Sequence, residues 1–241
     1  MQVLVTGAAG FLGSYIVGAL LARGDSVVAL DHRLNGKALT ASALARVQPI
    51  EADILEADAV ERAARGCAAI FHCAAIVGVD AYVDRPTQTM ETEVFGLRNV
   101  CAAARAQESA NPIVITCSSS AVYGHAGGAQ PLDETMEVAP VSTYGIAKGA
   151  LIQMTRMLAI EWAEHDIRVN AVAPGRLETR SPSRAARTDD PAYMRAMLAR
   201  IPLHRLATVD EVAAAVCYLA SPQAGSITGQ TLVLDGGITV A

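Results

Sequence analysis

Tyr144 and Lys148 stand four residues apart in the run Ser142-Thr143-Tyr144-Gly145-Ile146-Ala147-Lys148. That run opens an apolar-periodic stretch over residues 144–165. In a helix this spacing puts both side chains on one face, a turn apart. A free phenol titrates near 10. A cation about 4 Å away, at an effective dielectric near 20, is worth roughly 4 kcal/mol to the phenolate, or about three pKa units. Such a pair is a proton donor tuned toward neutrality, where general acid–base catalysis works best. Tyr-x-x-x-Lys is also met on ordinary solvated helices, so its meaning rests on what the chain sets beside it.

A second set of residues suits a phosphate-bearing ligand. Val3-Leu4-Val5 stops at Thr6-Gly7, Gly10 and Gly13 follow at intervals of three, and helical spacing runs over residues 11–23. Strand, glycine turn and helix is the context a dinucleotide fingerprint requires. Gly7 permits the tight turn, Gly10 lets backbone approach a pyrophosphate, and Gly13 lets the helix pack closely on the strand. The helix N-terminus then faces the phosphates. The strand-like run at 26–30 ends at Asp31, where an acidic side chain meets adenosine ribose hydroxyls and repels a 2'-phosphate. NAD is therefore favoured over NADP, with Arg33 as a counter-indication and strand-end turn chemistry as the alternative use of Asp31.

These residues need a scaffold, and the hydrophobic patterning supplies one. Strand-like runs recur at 47–52, 68–73, 113–116, 167–173 and 231–234, with helical stretches at 56–65, 84–107, 144–165 and 209–220. Residues 34–45 read as a loop and short helix, and 121–141 as loop, with Gly124, Gly127, Gly128, Pro131 and Pro140. Thr208 with Glu211 forms a capping-box pattern. The alternation predicts an α/β fold, a parallel, doubly wound seven-stranded sheet in a single domain over residues 1–241. The serine cluster Ser118-Ser119-Ser120 lies at a strand's C-terminal end, where open α/β sheets place ligands and where serines also serve plain turns. Asp53-Ile54 reads as an adenine-edge contact, and Ala74-Ala75 as small residues leaving room beside a cofactor. His72 reads as a packed strand residue. Residues 177–206, polar and then helical, read as a small lid.

Composition narrows the class. Among 241 residues, 52% are hydrophobic and 18% charged, and 19 basic against 24 acidic side chains give a net charge of −5. No clustered basic excess marks a nucleic-acid partner, and no apolar run has the length of a membrane span. A strand-like run from Gln2 leaves no room for a signal peptide, so a cytoplasmic location is expected. Five cysteines, Cys67, Cys73, Cys101, Cys117 and Cys217, sit singly in apolar segments. They read as buried free thiols, with no metal site expected.

With these motifs in view, the chain resembles the short-chain dehydrogenase/reductase superfamily over essentially its whole length. The first half resembles the extended branch of epimerases and dehydratases, through Thr6-Gly7-x-x-Gly10-x-x-Gly13, Phe71-His72-Cys73-Ala74-Ala75 and Ser118-Ser119-Ser120-Ala121-Val122-Tyr123-Gly124. The second half resembles the short single-domain dehydrogenases, through Arg168-Val169-Asn170-Ala171-Val172-Ala173-Pro174-Gly175, with Thr179 four beyond, and the tail at 229–237. The resemblance implies a Rossmann-type fold. It implies Ser119 as the substrate-polarising hydroxyl, Tyr144 as acid/base, and Lys148 as tuner and ribose ligand. Dinucleotide contacts are implied at Gly7, Gly10, Phe11, Leu12, Gly13, Asp31, Asp53, Ile54, Ala74, Ala75, Tyr144, Lys148, Pro174, Gly175, Leu177 and Thr179.

One position departs from the family pattern. Glu93, in Thr92-Glu93-Val94-Phe95-Gly96-Leu97-Arg98-Asn99-Val100, stands where the family usually has an asparagine that helps hold a water in the proton relay to the lysine. Either Glu93 serves the relay differently or proton exchange runs through another path. The short lid leaves a nucleotide sugar little to bind, so the expected substrate is a small sugar, polyol or hydroxy acid, oxidised or reduced with NAD. Arg176, Arg180, Arg184 and Arg187 could meet an anionic group on it, or pair with Glu178, Asp189 and Asp190. The alternatives are an epimerase or dehydratase that recycles NAD, and a sensor that binds NAD without turnover. The resemblance also implies a homotetramer or homodimer, paired through the helices at 84–107 and 144–165 with a second contact at the apolar final strand.

Overall fold

The strands are β1 (Gln2–Thr6), β2 (Ser26–Asp31), β3 (Gln48–Glu51), β4 (Ala69–His72), β5 (Ile113–Cys117), β6 (Val169–Pro174) and β7 (Thr231–Leu234), most of them short apolar runs, with β3 a polar strand at the sheet edge. They form one parallel sheet in the order β3-β2-β1-β4-β5-β6-β7. The computed structural model describes residues 1–34, 38–77, 83–107, 112–123, 140, 142–178 and 190–239. Val3, Leu4 and Val5 of β1, and every residue of β4 and β6, are buried. Strands that are apolar on both faces belong to a sheet covered by helices on both sides.

The covering helices are α1 (Phe11–Arg23), α2 (Ala41–Leu44), α3 (Ala57–Ala64), α4 (Pro86–Met90), α5 (Gly96–Arg105), α6 (Thr143–Glu161), α7 (Pro191–Leu198) and α8 (Val209–Leu219). One core forms where Ile16, Val17 and Leu20 of α1 meet Val212 and Val216 of α8 over β1 and β2. The other joins Val60 of α3, Leu97 and Val100 of α5, and Leu151 of α6 on the opposite face. The sheet is thus doubly wound, as the alternating pattern predicts. Strand order reverses between β1 and β4, which opens a crevice at their C-terminal ends. Ligands of open α/β sheets bind at such a reversal.

Element bounds follow the sequence closely, with three informative differences. The helix expected over 84–107 is interrupted: a π turn, Glu91–Phe95, separates α4 from α5 and buries Glu93. The helix expected to reach 165 gives way after Glu161 to a 3-10 turn, Ala163–His165. A 3-10 turn, Ser120–Tyr123, begins where loop was expected. Residues 124–139, with Gly124, Gly127, Gly128 and Pro131, lie outside the described residues. The predicted capping box is present, with Thr208 and Glu211 bonding reciprocally at the start of α8.

Candidate active site

The glycine turn after β1 is shaped by close approach. Gly7 has φ 66°, a left-handed conformation that costs glycine little. A Cβ on Gly13 would lie 2.1 Å from the Gly7 carbonyl oxygen, so α1 starts hard against the turn. Gly10 caps α1 with no side-chain hydrogen bond, and no acidic residue occupies its first turn. Its leading N–H groups are therefore left for an outside anion. Phe11 is exposed on the rim and Leu12 is half-buried.

Asp31, at the end of β2, is 7% exposed. Its Oδ2 accepts a 2.9 Å bond from the Ala9 N–H, and its Oδ1 accepts one from Arg33 N–H at 3.2 Å. The carboxylate is thus tied to the glycine turn. Ala74 follows β4 and donates its N–H to Thr6 Oγ1 at 3.3 Å, and Ala75 beside it is half-buried. Asp53 is exposed, and its Oδ1 accepts the Leu55 N–H at 2.9 Å. Ile54 turns inward, 5% exposed, with its carbonyl accepting from Asn99 Nδ2 at 3.0 Å. Asn99 and α5 thereby fix the β3 end of the crevice.

Ser118, Ser119, Tyr144 and Lys148 gather at the end of β5 and the start of α6. Ser142 caps α6, its Oγ accepting from Gly145 N–H at 3.0 Å. Gly145 presses on the turn after the serines, where a Cβ would meet the Ala121 carbonyl oxygen at 2.9 Å. That contact seats the first turn of α6, and Tyr144 with it, against the serine segment. Ser118 is buried and donates to the Lys148 carbonyl at 2.9 Å, which leaves it a structural role. Ser119 is half-buried, with Oγ accepting from Ala121 N–H at 3.2 Å, so its own hydroxyl proton stays available to a ligand.

Lys148 is 3% exposed, and its Nζ lies 5.7 Å from the centroid of the Tyr144 ring. The ammonium donates to Glu93 Oε2 at 2.8 Å and to the Cys117 carbonyl at 2.7 Å. Burial opposes its charge, but the Glu93 carboxylate, followed by Tyr144, holds the ammonium above the ordinary lysine range. Burial raises Glu93 above the usual carboxylate range, and Lys148 works against that shift. The lysine beside Tyr144 is thus compensated by a carboxylate and is not the lone cation assumed from spacing. The resemblance put Glu93 at the relay position, and the structure shows that it meets Lys148 directly as an ion pair from an element 55 residues away.

Two further groups border this cluster. His72 is buried, as expected of a packed strand residue, with Nδ1 2.9 Å from Thr6 Oγ1. Burial, then the Lys148 charge, push it down to about 3. Cys73 and Cys117, single in sequence, meet across β4 and β5 with Sγ atoms 3.4 Å apart. All five cysteines are free, with Cys67, Cys101 and Cys117 buried and Cys73 and Cys217 half-buried.

On the far side, Pro174 ends β6 and Gly175 packs on Asp235. Leu177 bridges to Ala207, which pins the base of the segment expected to act as a lid. Arg176 bonds the Tyr193 hydroxyl and lies 5.6 Å over that ring, so it is engaged by α7. Asp190 caps α7 through Ala192 N–H. Thr179, Arg180, Arg184, Arg187 and Asp189 lie outside the described residues. Arg168 and Asn170 are structural: Arg168 donates to the Leu219 and Ile227 carbonyls, and Asn170 Nδ2 donates to Ile227.

A parallel doubly wound sheet with a glycine turn at its reversal point and a Tyr-Lys pair at its mouth defines a class. The model of the NAD dependent epimerase/dehydratase family matches residues 3–204. The chain belongs to that family, within the short-chain dehydrogenase/reductase superfamily. A galactitol 2-dehydrogenase (L-tagatose-forming) of Cereibacter sphaeroides is 31% identical, with 98% of this chain and 94% of the relative covered. A tropinone reductase homolog of Arabidopsis thaliana is 48% identical over 99 residues, 41% of this chain and 32% of the relative. Several curated relatives are longer proteins, of which the match spans 32% to 43%. A crystal structure of a glucose/ribitol dehydrogenase-type short-chain dehydrogenase/reductase from Brucella melitensis has a TM-score of 0.81 and 28% identity. It covers 100% of this chain and 97% of that one. Binding of a nucleotide cofactor goes with this family, and the open α1 N-terminus and close-packed glycine turn fit one.

Proposed function

We propose that the protein is an oxidoreductase that moves a hydride between a secondary alcohol or ketone and nicotinamide, on a small sugar, polyol or hydroxy acid. The single observation that carries this reading is buried Lys148 with its Nζ 5.7 Å from the Tyr144 ring, at the mouth of the sheet beside the serine segment. The galactitol 2-dehydrogenase relative, aligned over nearly both lengths, supports a polyol among the candidates. Bound nicotinamide supplies the hydride acceptor or donor. Tyr144 exchanges the hydroxyl proton, Ser119 hydrogen-bonds the same oxygen, and Lys148 holds the phenol and the ribose in place. Proposed dinucleotide contacts are Gly7, Gly10, Phe11, Leu12, Gly13, Asp31, Asp53, Ile54, Ala74, Ala75, Pro174, Gly175, Leu177 and Thr179. NAD is the proposed cofactor because Asp31 sets a carboxylate where NADP carries a phosphate.

The test is a panel of sugars, polyols and hydroxy acids with NAD and with NADP, followed by NADH absorbance. At least one secondary alcohol should give NAD-dependent turnover, and Tyr144→Phe should lower it by about 10²-fold or more. Dinucleotide binding by calorimetry should survive that substitution. A second reading has one observation in its favour, the epimerase/dehydratase family model. Dinucleotide retained through purification, with substrate converted and no net NADH formed, would select it. A binding module without turnover is disfavoured because the Tyr144 and Lys148 pair is kept.

A further inference from the structure

Glu93 is a buried charged side chain at this site. It is fully buried in the π turn, its Oε2 is 2.8 Å from Lys148 Nζ, and its Oε1 has no hydrogen-bond partner among the described residues. A buried carboxylate is expensive to desolvate, and a buried ion pair is weak evidence for stability. π turns are rare and gather at functional sites. Two unfavourable features at one residue point to a function, and the residue they touch is Lys148.

The surroundings of Lys148 limit what can balance its charge. Tyr144 lies on its own helix, His72 comes from β4, Cys73 follows β4, Cys117 ends β5, and Glu93 comes from the π turn. His72 is held neutral by burial, so it adds no charge. Among the described residues Glu93 is the carboxylate in ion-pair contact with this ammonium.

We propose that Glu93 is the counter-ion that fixes the position and charge of Lys148, making a Tyr144–Lys148–Glu93 triad with no net charge while the phenol keeps its proton. This deepens the oxidoreductase reading, and its rate consequences rest on that reading. A phenol beside an uncompensated ammonium is pulled toward phenolate, whereas one beside an ion pair feels only the weaker field of a dipole. Glu93 is accordingly a positioning residue. It shifts the working range of the enzyme toward higher pH and keeps Lys148 charged across it.

The chain holds two lysines, Lys37 and Lys148, which makes a direct test simple. In protein labelled with ¹³C at lysine Cε, in a Lys37→Arg background, one signal reports Lys148. In the parent it should not titrate below the ordinary lysine value of about 10.4. Glu93→Gln should move the titration down by about one to three units, since burial then meets only the weaker opposition of Tyr144 and Cys117. Glu93→Asp, which keeps the charge, should stay nearer the parent. A parent signal that titrates well below the ordinary value, or one unmoved by Glu93→Gln, overturns the proposal. The parent measurement decides even if the glutamine variant fails to fold.

The second readout is rate. Glu93→Gln and Glu93→Asn should move the pH midpoint of kcat/KM for alcohol oxidation down by about one unit. A residue of purely structural use would lower the rate at every pH and leave the midpoint alone, which also overturns it. Should the parent turn over no substrate with either dinucleotide, the oxidoreductase reading falls, and the lysine titration still judges Glu93.

Discussion

His72 shows how a single buried group writes a pH dependence into stability. An unfolded histidine takes a proton near 6.5. The folded one, desolvated and close to Lys148, does so only at about 3. Its folded pKa is depressed, so the unfolded chain binds the extra proton first as pH falls. Stability is then lost between about 6.5 and 3, at up to about 1.4 kcal/mol per pH unit from this one group. Above pH 7 the group contributes no slope. Denaturant unfolding of the parent and His72→Gln across pH 4–7 should differ in slope by about one proton, with the variant flatter. Parallel curves would show that His72 takes up its proton in the folded state as readily as in the unfolded one.

Elements bring these groups together by packing closely at a few points. The glycine turn lets α1 begin on top of β1, with Gly13 lying where a Cβ would sit 2.1 Å from the Gly7 carbonyl oxygen. Backbone cannot yield at that distance as a side-chain tip can. Gly13→Ala gains helix propensity worth about 1 kcal/mol. It should nonetheless destabilise the fold by about 1–3 kcal/mol through overpacking. Dinucleotide affinity should fall at least about tenfold, because a shift of about 1.4 kcal/mol at the turn is already tenfold. Thermal unfolding and calorimetry check both, and a variant equal to the parent in both would mean that α1 slides freely. The π turn is the comparable device on the other face, since it carries Glu93 into the core between α4 and α5.

At the scale of the molecule, the outer face of α6 carries exposed apolar side chains around Gln153. Ile146, Met157 and Ile160 are 49%, 55% and 75% exposed, and Phe95 of the π turn is 46% exposed. Residues 146, 157 and 160 fall on one side of a helix of 3.6 residues per turn. We propose that this face pairs with a second copy across a two-fold axis, as the superfamily resemblance implies. Light scattering at micromolar concentration should give a dimer or tetramer, and Ile160→Arg should shift it toward smaller species. A monomeric parent would remove the idea. No helix among the described residues is long and apolar enough to cross a membrane.

Local chemistry explains why so much could be read in advance. β-branched runs, glycine spacing and cap residues act over a few positions, so α1, β7 and the Thr208–Glu211 box stand in the sequence itself. Sequence spacing likewise put Tyr144 and Lys148 on one helix face, because four residues make about one turn. The charge at Lys148 was decided elsewhere. It depends on Glu93 arriving from 55 residues away, on the π turn that buries it, and on the Cys117 carbonyl at the end of β5. The Cys73–Cys117 contact has the same origin, in strands distant in sequence and adjacent in the sheet. Electrostatics and desolvation depend on distance through space, which spacing along a chain does not fix once the chain leaves its own helix or strand. The sequence therefore determined most of the elements and set Tyr144 and Lys148 on one helix face, and tertiary packing decided which charge stands beside Lys148.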